Sequence, residues 1–342
     1  MSLQAFTDRA ALEQIRRDLW IEREHGRASV MVGAGFSRNA HRISPDAPGF
    51  PTWAELGGKL RRELDPLANA SSSECVSASD LMRSAFEYEV QFGSMRLSEF
   101  LLREIPDEQY EPDSLHRLLL SLPWSDIFST NYDTLLERTR RLVPERHYEV
   151  VLVPADIAGR LQPRIVKLHG TFPSHRPFIF TQEDFRTYPR QFAPFVNLVQ
   201  QALMETTLCL IGFSGDDPNF LAWSGWVRDE LGNHCPPIYL CGLLNLSAAA
   251  RIVLDRHNIR AVDLAPLFTD PALDSSRTHA LAVEWFLRSL LAAEPPNRVR
   301  WPRGGQRSVE PGTTGLPPLL PANIAAYEVG PLHPNHGSDF EA

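Results

Sequence analysis

Short apolar runs alternate along most of the chain with longer stretches of helical periodicity. Residues 8 to 25 space their apolar positions for an amphipathic helix leading to Gly26, and ASVMVGAG follows as a short strand. In GFPTWAELGGKLRREL, Thr52 and Glu55 have the T-x-x-E spacing of a capping box, in which hydroxyl and carboxylate each satisfy a backbone N–H of the first turn. A helix is therefore predicted to start near residue 53. Residues 66 to 122 are mostly helical by pattern, with a polar break at NASSSE and a boundary at IPDEQYEPDS. WSDIFST then reads as a strand, and NYDTLLERTRR as a turn entering a helix. RIVKLHG is another short strand, TTLCLIGFSGDDPNFLAWSGWVRDEL gives strand, loop and helix again, and PPIYLCGLL and NIRAVDL complete at least five β-rich runs.

This alternation predicts an α/β fold: a Rossmann-like, doubly wound, mostly parallel sheet covered on both faces, with a helical insertion over about 54–122. Ligands bind such sheets at the carboxyl ends of strands, where the strand order reverses. The polar stretches of interest all fall at predicted ends of that kind. Beyond residue 294 the chain becomes crowded with Pro and Gly and loses amphipathic periodicity, so the folded domain is expected over 1–294 and a linker or docking arm over 295–342.

Composition narrows the function classes. With 43% hydrophobic and 22% charged residues, the 342-residue chain has the make-up of a soluble globular protein. A net charge of −8 without a dense basic run argues against direct nucleic-acid binding, which needs clustered Lys and Arg; RTRR, at 138–141, reads as a solvated helix face. No signal core and no membrane-spanning apolar run occurs in the sequence, so a cytoplasmic location without membrane association is expected. Cys75, Cys209, Cys235 and Cys241 form no C-x-x-C pair, which suggests neither a zinc ribbon nor a disulfide framework; Cys209, within TLCLIGF, reads as a buried thiol. Trp223 and Trp226, at i and i+3, are expected to pack on the sheet, and His116, His175 and His234 to be surface or packing residues.

The chemistry begins in VMVGAGFSRNA. Gly33 and Gly35 after a strand permit a tight turn and let backbone N–H groups approach a phosphate, yet the full G-x-G-x-x-G fingerprint is absent, and a plain strand-to-helix turn has the same pattern. Four further stretches add context. GFPTW supplies Gly49, Phe50 and Pro51, suited to a lid; STNYD supplies Thr130, Asn131 and Asp133; KLHG supplies His169; and GFSGDDPN supplies Gly212, Ser214, Asp216 and Asp217. In this order, over roughly residues 28 to 265, these stretches resemble the sirtuin superfamily, whose Gly-Ala-Gly-x-Ser, Asn-x-Asp, His-Gly and Gly-x-Ser motifs line one NAD site. The departures are informative. No cysteine lies between Phe172 and Thr207, where protein-deacylating sirtuins carry a zinc module; GFPTW replaces their Gly-Ile-Pro-Asp-Phe-Arg, and TNYD their Gln-Asn-Ile-Asp. In these features the chain resembles the sirtuin-like domains of bacterial anti-phage defence, which hydrolyse NAD.

That resemblance implies NAD as substrate, no metal, and cleavage to nicotinamide and ADP-ribose. The leaving group is already cationic, so the site needs no strong acid; it must place the pyrophosphate, orient the ribose, position a water and accept a proton. By resemblance, Gly33, Ala34, Gly35 and Ser37 hold the pyrophosphate, with Phe36, Phe50 and Thr130 as further NAD contacts. Asn131 bonds the nicotinamide ribose and positions the water, and His169 is general base or ribose-hydroxyl partner. Asp133 orients Asn131 or caps the next helix. Gly212, Ser214 and Asp217 contact the adenosine half, with Asp216 as alternate to Asp217. A defence effector that depletes NAD must be silent until triggered, which implies a homo-oligomer or a partner subunit such as a helicase-like ATPase or an Argonaute-like protein. Two alternatives stay open: an NAD-dependent protein deacylase or ADP-ribosyltransferase, and a non-catalytic scaffold that senses NAD or ADP-ribose.

Overall fold

Helix α1 (Arg9–Leu19) leads into strand β1 (Ala28–Val32), and the four-residue helix α2 (Ala34–Ser37) follows at once. A two-residue strand β2 (His41–Arg42), helices α3 (Trp53–Leu64), α4 (Ala78–Phe92) and α5 (Ser94–Glu104), and strand β3 (Tyr110–Glu111) come next. The remainder runs α6 (Ser114–Ser121), β4 (Asp126–Ser129), α7 (Leu135–Thr139), β5 (Glu149–Val151), β6 (Arg164–Lys167), α8 (Gln182–Gln191), α9 (Ala193–Glu205), β7 (Thr207–Ile211), α10 (Pro218–Leu231), β8 (Ile238–Gly242), α11 (Ala248–Arg256), β9 (Ile259–Asp263) and α12 (Ser275–Leu291). This is a computed structural model, and it describes residues 6–21, 25–66, 77–173, 178–213, 217–270 and 272–291. The Pro/Gly-rich arm expected over 295–342 lies outside the described residues, as do Cys75 and His175.

Seven strands pair in parallel in the order β5-β6-β4-β1-β7-β8-β9, with β2 and β3 as a separate antiparallel pair. Side chains alternate across the sheet, as the pleat requires, and both faces are apolar. Val30, Val32, Ile127, Ile165 and Ile211 enter one core with α1, α6 and α12. Met31, Phe128, Val166, Leu208 and Leu210 enter a second, with α8, α9 and α10. Each fully buried aliphatic side chain contributes about 1.5–3 kcal/mol of transfer free energy, which is why short strands suffice. The Rossmann-like doubly wound arrangement expected from the sequence is therefore present. After β1 the chain moves to β4 on one side, and after β7 to β8 on the other, so the order reverses between β1 and β7.

A third core sits above the carboxyl ends of the strands. Leu60, Leu81, Ala85 and Phe100 from α3, α4 and α5 pack there with Tyr132, Phe172, Phe178 and Phe180 from the loops after β4 and β6. Helix α3 starts at Trp53 with Thr52 as N-cap and the complete capping box to Glu55, worth about 1 kcal/mol. The helical segment is thereby fixed as a roof over the sheet's functional edge.

Several local expectations need correction. The first helix ends at Leu19 instead of running to residue 25, because the chain doubles back: a Cβ on Gly26 would stand 2.1 Å from Leu19 O, and Arg27 N–H donates to Asp18 O. Arg138 is only partly solvated; it donates to Asp107 Oδ1 at 3.0 Å and to Tyr110 O at 2.6 Å. Trp223 is buried, but Trp226 is exposed. Cys209 is buried as expected.

His116 illustrates what packing does to a titratable group. It lies buried in α6, its Nδ1 accepts the Asp113 N–H at 3.3 Å, and its ring meets Phe36 edge-on at 5.0 Å. Burial pushes its imidazole down to about 4. The folded state thus holds His116 neutral where the unfolded chain takes up a proton, so its contribution is complete above pH 6.5 and is lost as pH falls towards 4. We expect stability at pH 5 to be lower than at pH 7 by about 2 kcal/mol from this residue alone. Denaturant titrations of wild type and His116→Gln, which keeps a capping acceptor, should show that difference shrinking in the variant.

Candidate active site

The loops after β1 and β7 meet backbone to backbone at the switch point. Gly35 N–H donates to Gly212 O at 3.0 Å, and a Cβ on Gly33 would stand 2.7 Å from the same oxygen. Gly212 has φ +60, and a Cβ there would be 2.2 Å from Phe36 N. The glycines read from the sequence as clearance for a phosphate therefore also clear one another. Ala34 and Gly35 face a cleft, whereas the structure turns the Phe36 ring into the core beside His116.

Asn131 follows β4 and is held by two donated bonds, from Nδ2 to Gly33 O at 2.9 Å and to Ser37 Oγ at 2.7 Å. Ser37 in turn donates to Asp133 Oδ2 at 2.6 Å, and Asp133 Oδ1 accepts the Leu135 N–H at 3.2 Å. Asp133 thus bonds the first N–H of α7 with one oxygen and, with the other, the Ser37 hydroxyl that also accepts from Asn131. With both amide protons committed, Asn131 has its carbonyl oxygen to offer a ligand, an acceptor suited to a hydroxyl or a water. Beneath this network, Lys167 donates to Asp133 O and lies 3.3 Å from Glu137 Oε1, which accepts from Thr171 at 3.0 Å. Burial raises the Glu137 carboxyl above its usual range, opposed by the Lys167 charge.

His169 follows β6 and is buried; the next residue, Gly170, has φ +104, and a Cβ there would meet the Phe178 ring at 2.9 Å. The imidazole packs edge-on against Phe185 and Tyr188, with centroids at 5.3 and 6.0 Å. Its Nε2 is 3.7 Å from Asp217 Oδ2, while Asp217 Oδ1 accepts the Phe220 N–H at 3.0 Å as N-cap of α10. Ser214 and Asp216 lie outside the described residues.

The glycine loop, Asn131, Asp133 and Asp217 line one cleft with two lobes, which share Ala34, Pro51, Trp53 and Thr130. The outer lobe, about 350 Å³, lies between the glycine loop, Thr130, the start of α3, Met82 of α4, Phe185 of α8 and Asp217. The inner lobe, about 70 Å³, reaches Ser37, Asn131 and Asp133 under Phe50, Trp53 and Phe180. His169 stands behind Asp217 and Phe185. Sequence reading missed Arg38, Trp53, Met82 and Phe185 in this wall. Arg38 directly follows the glycine loop and Trp53 follows GFPT, so adjacency to a motif could have found both. Met82 and Phe185 come from helices without any motif. Trp53, partly exposed, stacks on Phe180 at 5.9 Å and 28°, giving a flat ring one free face. Among the described residues no cluster of three metal-ligating side chains occurs, and no helix is long and apolar enough to cross a membrane.

Residues 125–262, from just before β4 into β9, match the family model described as the SIR2-like domain. The chain is 29% identical over 202 residues to NAD(+) hydrolase ThsA of Acinetobacter baumannii (strain 532279), covering 58% of this chain and 38% of that protein. It is 27% identical over 218 residues to NAD(+) hydrolase ThsA of Enterococcus faecium, covering 60% and 42%. The chain thus spans about two-fifths of the length of these relatives. Among solved structures, a Sir2 homolog–NAD complex superposes over 85% of this chain and 96% of its own, with a TM-score of 0.41 and 12% identity.

Proposed function

We propose that this chain is an NAD hydrolase that cleaves the nicotinamide–ribose bond to give nicotinamide and ADP-ribose. The observation that carries this reading is Asn131, which faces the inner lobe of the cleft with its amide protons tied to Gly33 O and Ser37. The similarity to proteins named NAD(+) hydrolases supports it.

In this reading the loop Gly33–Ala34–Gly35 holds the pyrophosphate, while the Phe36 N–H is engaged by Gly33 O and the Ser37 hydroxyl by Asp133, so neither donates to it; Gly212 borders the adenosine half, a part that the resemblance also gives to Ser214 and Asp217. Thr130 and Phe50 line the passage to the inner lobe, which takes the nicotinamide end. The C1′–N bond breaks with its electron pair leaving on nicotinamide, whose ring nitrogen is thereby neutralised. Asn131 Oδ1 accepts a hydrogen bond from the ribose or the attacking water, and a neutral amide does not trap the ribosyl cation as an ester, as a carboxylate could. His169 accepts the proton released when water adds. Arg38 offers its guanidinium to the pyrophosphate. Arg38→Ala should raise KM for NAD about five- to tenfold with kcat within about twofold, because a contact to a non-reacting phosphate contributes equally in ground and transition states; a kcat loss instead would place Arg38 at the reacting bond.

A hydrolase that drains NAD serves as an abortive-infection effector against phage in the cytoplasm, and such an activity must be held in check. We assign that control to homo-oligomer assembly or to a partner subunit, of which helicase-like ATPases and Argonaute-like proteins are the candidates, with the 295–342 arm as docking segment. Incubation of the purified chain with NAD, with and without an acetyl-lysine peptide, tests the activity class. Nicotinamide release that needs no peptide supports the hydrolase; release only with peptide supports the deacylase.

A further inference from the structure

Asp217 occupies an unusual position for a residue read as an adenosine contact. Its two carboxylate oxygens have separate tasks: Oδ1 accepts the Phe220 N–H at 3.0 Å and begins α10, and Oδ2 is directed at His169 Nε2, 3.7 Å away. The cap fixes the carboxylate in space, so its relation to the imidazole is set by the fold. At 3.7 Å the contact is electrostatic, beyond the range of a normal hydrogen bond. The surroundings strengthen it. Phe185 and Tyr188 press edge-on against the imidazole, and His169 is only 1% exposed, so water screens the pair poorly.

We infer that Asp217 is the positioning residue of His169: it holds the imidazole in place through the cap of α10 and stabilises the imidazolium formed when His169 takes a proton. This inference rests on the hydrolase reading for its consequence, though not for its geometry. In the step concerned, an O–H bond of the attacking water breaks, its proton goes to the imidazole, and its oxygen bonds the ribosyl carbon. The positive charge then appears beside the Asp217 carboxylate, so the attraction is greatest after the proton has moved and favours the transition state over the ground state. Among the described residues, two further ionisable side chains close to His169 are engaged elsewhere. Tyr188 of α8 donates its hydroxyl to Leu168 O at 2.9 Å, and Lys167, the last residue of β6, sends its ammonium to Asp133 O and Glu137.

Asp217→Asn and Asp217→Ser separate the two tasks, since Asn and Ser cap helices about as well as Asp but carry no charge. The full chain, labelled in its histidines, is titrated by NMR with His169→Asn identifying the resonance. The His169 midpoint should fall by about one pH unit or more in both variants, with thermal stability close to wild type. NAD turnover should lose about tenfold in kcat at neutral pH, with KM within about twofold and the acidic limb of the pH profile displaced by the same amount as the NMR midpoint. An unmoved His169 midpoint in both variants overturns the pairing, whether or not the chain consumes NAD. A KM increase with unchanged kcat overturns it too and returns Asp217 to the adenosine half. A shifted midpoint in a chain that leaves NAD intact supports the pairing on its own, independently of the hydrolase reading.

Discussion

Asn131→Ala is expected to lower kcat for NAD hydrolysis by about 10³-fold, with KM changed by less than about threefold and the fold intact. The expectation follows from how the side chain is held. Its two donated bonds, to Gly33 O and Ser37 Oγ, join the loops after β1 and β4, and the carbonyl oxygen is left as the acceptor for the reacting ribose or water. Truncation removes that acceptor, while Ser37 keeps its bond to Asp133 and Leu135 keeps its cap, so the loops have other support. Asn131→Asp is a sharper probe. It is isosteric, yet it cannot donate to Gly33 O and brings a carboxylate against that carbonyl, so activity should fall about as far as with alanine. Steady-state kinetics on both variants, beside a melting curve, checks the pair. If Asn131→Asp retained most activity, the amide's fixed orientation would have no part in the chemistry.

Gly212→Ala should destabilise the protein by about 3–5 kcal/mol. Two causes add. The residue has φ +60, which costs an L side chain about 1–2 kcal/mol, and the new Cβ would stand 2.2 Å from Phe36 N, a backbone atom with no rotamer to yield. Relief requires the loops after β1 and β7 to separate, which opens the cleft at its floor and should abolish ligand binding. Gly58 of α3 is the control: an added Cβ there meets nothing within 4 Å, so Gly58→Ala should be stabilising by about 0.5–1 kcal/mol. Chemical denaturation of the two variants measures the contrast, and a Gly212→Ala protein as stable as wild type would contradict the close backbone approach.

Much of the architecture was legible because local chemistry and tertiary environment agree. Thr52 and Glu55 announce α3 by a mechanism confined to four residues, and the apolar runs at 28–32, 126–129 and 207–211 become strands buried on both faces. The strand β5 and the β2–β3 pair escaped notice because two or three residues are too few to show a period. The candidate site was legible as a set of motifs, through their order along the chain. What joined them was not. Ser37 and Asn131 meet across 94 positions, and nothing in either loop announces that Ser37 bonds Asp133 and Asn131 together. Asp217 looked like one of two adjacent acids in a polar loop; its relation to His169 arises only from how α10 starts beside the end of β6. Phe185 and Met82 carry no local signal because they reach the cleft from helices whose pattern reports packing alone.

The proposal on which the other expectations rest is NAD hydrolysis in this cleft. The most direct test is to incubate the purified full chain with NAD as sole substrate and to separate the products by chromatography, with Asn131→Ala run in parallel. Nicotinamide and ADP-ribose are expected in equal amounts from wild type, with about a thousandth of that rate from the variant. Equal product from both proteins, or NAD left intact by wild type supplied with its activating partner, would contradict it.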